Sequence, residues 1–194
     1  MKQTILAVIM TLTLSSAAFA TGDLGRSSVG VQIGFGKVDL GDDESTFSFG
    51  VSGTYATVPD PDLFGADITV GYTYADLHAY DTHDFGVTAT PYLNISQYFR
   101  PYLNVGIGHF SVEDESEFSF KLGIGVEMEF VENWSTSISY DQAFINDFDI
   151  GTFGIGTGYW FQSGIGIDIR YEHAEYEDSD FSSDGVKLGA GYSF

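Results

Sequence analysis

The sequence predicts an all-β fold, an antiparallel up-and-down transmembrane β-barrel of about ten strands with its apolar face outward. Three observations predict it. The chain ends on a stretch in which Val186, Leu188, Ala190, Tyr192 and Phe194 alternate with Lys187, Gly189, Gly191 and Ser193, the period of a strand with one apolar face and one polar or empty face. Comparable units of about ten residues recur from Ser28 onward, the length a tilted strand needs to cross a bilayer. After the first residues no segment is apolar and unbroken enough for a spanning helix, and in lipid only helices and closed barrels satisfy every backbone group.

The N-terminus is expected to be removed. Lys2 supplies a short positive region, Ile5 to Leu14 an apolar one, and Ala18-Phe19-Ala20 a small-residue cleavage site before Thr21. The apolar run is shorter than the roughly 20 residues of a membrane anchor. Residues 1–20 are therefore read as a signal peptide and 21–194 as one barrel domain.

The strands follow in order, each marked by its apolar face. Val29, Val31, Ile33 and Phe35 mark the first, Phe47, Phe49, Val51 and Tyr55 the second, and Ile68, Val70, Tyr72 and Tyr74 the third. Phe85, Val87, Ala89 and Leu93 mark the fourth, and Leu103, Val105 and Ile107 the fifth. The sixth, from Phe120 to Phe130, is the clearest. Trp134, Thr136, Ile138 and Tyr140 mark the seventh, Phe153 to Phe161 the eighth, Ile165 to Tyr171 the ninth, and the terminal stretch the tenth. An even count returns both ends to one side of the membrane. Eight strands is the alternative, because Pro91 and Pro101 remove ladder donors from the fourth and fifth.

Connections alternate in character. Those around Val58 to Leu63, Ser96 to Arg100, Val131 to Asn133 and Gln162 to Gly164 carry Pro, Asn or Gly as turns do. The others, Asp39 to Ser45, Leu77 to Asp84, Glu113 to Glu117, Gln142 to Gly151 and Glu175 to Asp184, are acidic. Short turns belong at the periplasmic rim and long loops outside. Abundant Gly and aromatic residues suit curved strands and aromatic girdles, and the absence of Cys leaves closure of the sheet to hold the fold. A formal net charge of −21 argues against nucleic acid as a partner. A soluble sandwich or lipocalin-like barrel would show the same alternation with the apolar face inside. Here Gly, Ser and Thr dominate the second face, with far fewer charges than a wet sheet carries.

The terminal KLGAGYSF, the leader and the period-two strands together resemble small outer-membrane β-barrel proteins of bacteria, the porin-like, OmpX- and opacity-type barrels. The resemblance covers the whole of 21–194. It implies export through the periplasm to the outer membrane of a Gram-negative cell, with outer-membrane lipid and lipopolysaccharide as surroundings. It also implies that the C-terminal strand, through Val186, Leu188, Tyr192 and Phe194, carries the signal for the barrel-assembly machinery.

Function is less sharply drawn. The lumen-facing charges on this assignment are Lys121, Glu127, Glu129, Asp141, Asp168, Arg170, Glu172 and Lys187. They make either an internal ion-pair network plugging the barrel or the lining of a narrow, cation-preferring pore. About eight strands give an interior just filled by side chains. Ten lies close to that limit, although inward glycines such as Gly123, Gly125, Gly154, Gly156 and Gly158 leave volume that Tyr92, Tyr102 and Trp160 could occupy. The acidic loops are solvated by default; otherwise they bind divalent cations that bridge to lipopolysaccharide phosphates, or a surface partner. Asp42-Asp43-Glu44 and Glu113-Asp114-Glu115 lack the spacing of a defined calcium loop.

Asp81-Thr82-His83 puts a carboxylate and an imidazole on one face, superficially similar to the Asp/His pair of omptin proteases. The chain is too short for their extracellular extension and has no second acid pair. Gly154-Ile155-Gly156 has strand spacing, and a phosphate loop needs a following helix. The expectation is a non-enzymatic protein without cofactor or defined metal, with a structural or narrow porin-like role. The alternative is a surface binding or adhesion protein acting through acidic loops, and the last a membrane-embedded hydrolase.

Overall fold

The computed structural model describes residues 24–39, 43–57, 63–76, 81–96, 98–112, 115–145, 148–176 and 182–194. The expected signal peptide lies outside these residues. Ten strands close one barrel: β1 (Ser28–Asp39), β2 (Asp43–Ala56), β3 (Phe64–Asp76), β4 (Asp81–Leu93), β5 (Phe99–Val112), β6 (Glu115–Val131), β7 (Trp134–Ile145), β8 (Phe148–Trp160), β9 (Ile165–Tyr176) and β10 (Ser182–Ser193). Each pairs antiparallel with its sequence neighbours, and β1 pairs with β10 from Ser28↔Ser193 to Asp39↔Ser182. Closure leaves no strand with an unpaired edge, the condition a sheet must meet in hydrocarbon.

The sheet is inside-out relative to a soluble barrel. The apolar positions named above face outward: Val29 is 50% exposed, Phe35 53% and Ile124 60%. Their neighbours Gln32, Ser48, Thr54, Thr73, Ser137 and Thr152 are buried. Because the side-chain period is two, this choice of face rules out any one-residue slip in the pairing. Outward aromatic pairs sit toward both ends: Tyr159 is 4.9 Å from Phe161 and 6.1 Å from Trp134 near the chain termini, and Phe35 is 5.5 Å from Phe47 and Phe120 6.1 Å from Phe144 toward the other end.

Tight hairpins close that end. Asn133 takes a φ of 65° in the turn between β6 and β7, a left-handed conformation that Asn tolerates. Gly164 takes 82° between β8 and β9. The pairing of β4 with β5 lapses between Ala89↔Val105 and Tyr92↔Tyr102. The cause is Pro91, which has no amide to donate; Thr90 instead turns its hydroxyl to Asn104 Oδ1 at 3.0 Å.

The acidic connections differ from expectation. The strands run on to Asp39, Asp76, Val112, Ile145 and Tyr176 and resume at Asp43, Asp81, Glu115, Phe148 and Ser182. Asp81 to Asp84, Gln142 to Ile145, Phe148 to Gly151, Glu175 to Tyr176 and Ser182 to Asp184 are thus strand rather than loop. Past the apolar band the ladder continues with the alternation inverted: Val38, Ala75, Ile145, Ile150 and Ala174 are buried inward, while Asp39, Asp76, Asp81 and Asp184 face outward where no hydrocarbon meets them. Asp42, Glu113 and Asp114 lie outside the described residues.

Candidate functional site

All eight charged residues expected in the lumen are on inward-facing strand positions, and they gather into separate groups. Strand alternation puts Asp168, Arg170 and Glu172 of β9 on one face. Arg170 Nε donates to Glu172 Oε1 at 2.8 Å, and Lys187 of β10 places Nζ 2.7 Å from Glu172 Oε2. One carboxylate therefore holds two cations, and all three side chains are at most 4% exposed. Arg170 also reaches across β8 to β7, donating from Nη1 to Ser137 Oγ at 3.3 Å and from Nη2 to Ser139 Oγ at 2.6 Å. Gly154 makes that reach possible, since a Cβ there would overlap the guanidinium.

A second bridge repeats the device. Asn104 of β5 reaches over β6 and donates to Asp141 of β7 at 2.9 Å, while Ser139 Oγ donates to the other carboxylate oxygen at 3.2 Å. Gly123 lies opposite Asp141 on the strand between, where a Cβ would overlap Asp141 Oδ1. A third group centres on Arg100 of β5, whose Nη2 lies 2.8 Å from Glu127 and 3.3 Å from Glu129. Glu129 in turn accepts the Asn133 amide at 2.8 Å. Asp168 lies over Gly189 within coulombic reach of Arg170 and Lys187, and Lys121 within reach of Asp84.

Several inward glycines are filled by neighbouring side chains, Gly123 by Asp141, Gly125 by Tyr102 and Gly154 by Arg170. Tyr92 lies against Gly65, Tyr102 against Gly125 and Trp160 against Gly166, each directly across a strand pair. Each glycine is a slot for a large neighbour, so Tyr92, Tyr102 and Trp160 are buried and the interior is packed. Arg100, Asn104 and the hydroxyls of Ser137 and Ser139 were not singled out from sequence. An inward Ser or Asn becomes a partner only once the register and the glycine opposite are known.

The outer rim resolves the Asp81 and His83 pair differently. Both face outward on β4, but Asp81 accepts from Tyr74 at 2.7 Å and His83 Nδ1 sits 2.7 Å from the Tyr72 hydroxyl. Each is engaged by a tyrosine of β3 rather than by the other. A similar outward cluster on β9 and β10, missed in the sequence, joins Tyr171 and His173 to Asp184, with His173 Nδ1 3.0 Å away. Among the described residues no group of His, Asp and Glu is arranged to hold a metal ion. On β10, Val186, Leu188 and Tyr192 point outward, and Phe194, just past the strand, is 78% exposed.

Residues 4–161 match the family described as outer membrane protein beta-barrel domain. The chain is 31% identical over 86 residues to outer membrane protein X of Escherichia coli K12, covering 40% of this chain and 50% of that protein. It is 28% identical over 88 residues to outer membrane protein X of Enterobacter cloacae, covering 40% and 51%. The chain thus spans about half the length of the curated relatives it matches. The β domain of the Bordetella autotransporter Brka superposes with a TM-score of 0.54 at 10% identity, over 87% of this chain and all of that one, which speaks to the fold alone.

Proposed function

The chain belongs to the outer membrane protein beta-barrel domain family, a β-barrel of the Gram-negative outer membrane, and from that premise we propose that it is a structural barrel with a closed lumen. The observation that carries this reading is the solvent-excluded group Arg170, Glu172 and Lys187, with Glu127 fully buried beside Arg100. An aqueous channel would wet these charges. We read the chain as non-enzymatic, since Asp81 and His83 are each turned to a tyrosine. Its surroundings are outer-membrane lipid and lipopolysaccharide, and its last strand is the handle for the assembly machinery. Planar-bilayer recording tests the reading: the refolded protein is expected to insert without steady single-channel steps, and reproducible open steps at low voltage would overturn it.

The second reading, a surface-binding protein, is favoured by the outer hairpins. Their strands carry Asp39, Asp76, Asp81, Glu117, Glu175 and Asp184 beyond the apolar band, a negative surface suited to a cationic partner or to bridging divalent ions. Replacing the acids of Glu113 to Glu117 by amides should weaken calcium-dependent adhesion, and unchanged adhesion would count against that hairpin.

A further inference from the structure

Residues Leu24 to Ser27 lead into β1, and a simple lead-in would touch only β2 and β10, the neighbours of β1 in the barrel. Ser27 does this: its hydroxyl accepts the Ala56 amide at 3.2 Å and its carbonyl accepts the Phe194 amide at 3.1 Å. The three residues before it reach much further round the circumference. Leu24 is 7% exposed and clusters with Tyr92 of β4 and Tyr102 of β5. Its carbonyl accepts Arg100 Nη1 at 3.0 Å. The Gly25 amide donates to Asp67 Oδ2 of β3 at 2.8 Å. Arg26 stacks its guanidinium 5.5 Å from the Trp160 ring of β8 and donates to Asn133 Oδ1, in the turn between β6 and β7, at 3.4 Å.

We propose that Leu24 to Ser27 form a built-in stopper that seals the barrel mouth on the side of the chain termini. One receiving group, Arg100, is held by partners outside the segment. Arg100 is fixed by Glu127 and Glu129, and Glu129 is fixed in turn by the Asn133 amide. Asp67 is a lumen carboxylate only 2% exposed, and it is turned to the Gly25 amide. Gly25 is the hinge of the segment. Its φ of 81° belongs to the left-handed region, and a Cβ there would stand 2.9 Å from the Tyr92 hydroxyl. The seal is distinct from the Arg170, Glu172 and Lys187 layer, so the lumen has two closures in series and loss of this one alone does not make a channel.

The chain contains no cysteine, so a single introduced thiol reports without background. Ser135, 2% exposed, lies on the lumen face of β7 opposite Glu129 and Gly158, and its hydroxyl has no hydrogen-bond partner to lose. In the refolded protein in detergent micelles, Ser135→Cys should react slowly with a small charged methanethiosulfonate. Deleting Leu24 to Arg26, or straining the segment with Gly25→Val, should speed that reaction about tenfold or more by opening the mouth, with heat-modifiable gel mobility confirming a folded barrel. An unchanged rate in a folded variant would overturn the proposal. A separate Leu24→Cys variant decides the matter if the deletion does not fold: protection relative to the urea-unfolded chain supports the stopper, and labelling at the unfolded rate refutes it. Because the readout is thiol access rather than conductance, its failure is distinguishable from failure of the closed-lumen reading.

Discussion

Glu172→Gln is the most informative single change in the lumen. Glu172 divides its two oxygens between Arg170 Nε at 2.8 Å and Lys187 Nζ at 2.7 Å, in a region all but closed to solvent. A glutamine keeps the size but offers one carbonyl to two cations and carries no charge. Removing one partner of a buried ion pair typically costs about 3–5 kcal/mol, because the charge left behind cannot recover its hydration. Arg170 retains Ser137 and Ser139 as partners, which argues for the lower end, about 3 kcal/mol. Glu175→Gln is the internal comparison. It meets His173 at 3.4 Å on the exposed rim, at 79% side-chain exposure, where a pair is worth at most about 1 kcal/mol. Urea unfolding in phospholipid vesicles, followed by tryptophan fluorescence, measures both as midpoint shifts at constant slope. Combining Glu172→Gln with Lys187→Met removes the stranded ammonium. It should restore at least about 1 kcal/mol relative to the sum of the single variants. A Glu172→Gln loss no larger than that of Glu175→Gln would refute the view that this network is desolvated and holds β9 to β10.

Two further changes probe packing and assembly. Gly125→Ala places a methyl against the Tyr102 ring and should destabilise by about 1–3 kcal/mol through overpacking, with a smaller effect in a Tyr102→Ser background; equal effects in both would mean that the ring does not occupy the slot. Deleting Phe194, which is exposed just past β10, should lower the yield of folded barrel in cells while leaving refolding into vesicles nearly unchanged, and normal cellular yield would remove Phe194 from the assembly signal.

Much of this architecture is legible in the residues themselves. The strand faces read directly, because hydrocarbon on one side and a polar lumen on the other impose period two along each crossing. Phe120 to Phe130 shows it most clearly, and Pro91 correctly marks the irregular stretch between β4 and β5. The outer strand ends were missed because the pattern inverts there: Asp39, Asp81 and Asp184 take the outward, water-facing positions while Val38, Thr82 and Ser183 are buried inward, so the outward apolar stripe that marks each strand stops short of its end. The lumen charges could be assigned to a face but not to partners. Glu172 meets Lys187 only through the β9–β10 register, and Asn104 meets Asp141 only because Gly123 has no side chain. Leu24 is the hardest case. A lone leucine ahead of the first strand has no pattern, and its burial depends on Tyr92 and Tyr102, far along the chain.

The central claim is that the apolar face meets lipid while the polar face closes on itself, and the two tryptophans of this chain report on opposite sides of that boundary. Trp134 is outward and 49% exposed, whereas Trp160 is inward and 5% exposed. In vesicles of lipid brominated on the acyl chains, the Trp160→Phe variant, which keeps Trp134, should be strongly quenched. The Trp134→Phe variant, which keeps Trp160, should retain nearly all its fluorescence. Strong quenching of Trp160 with little of Trp134 would contradict the account.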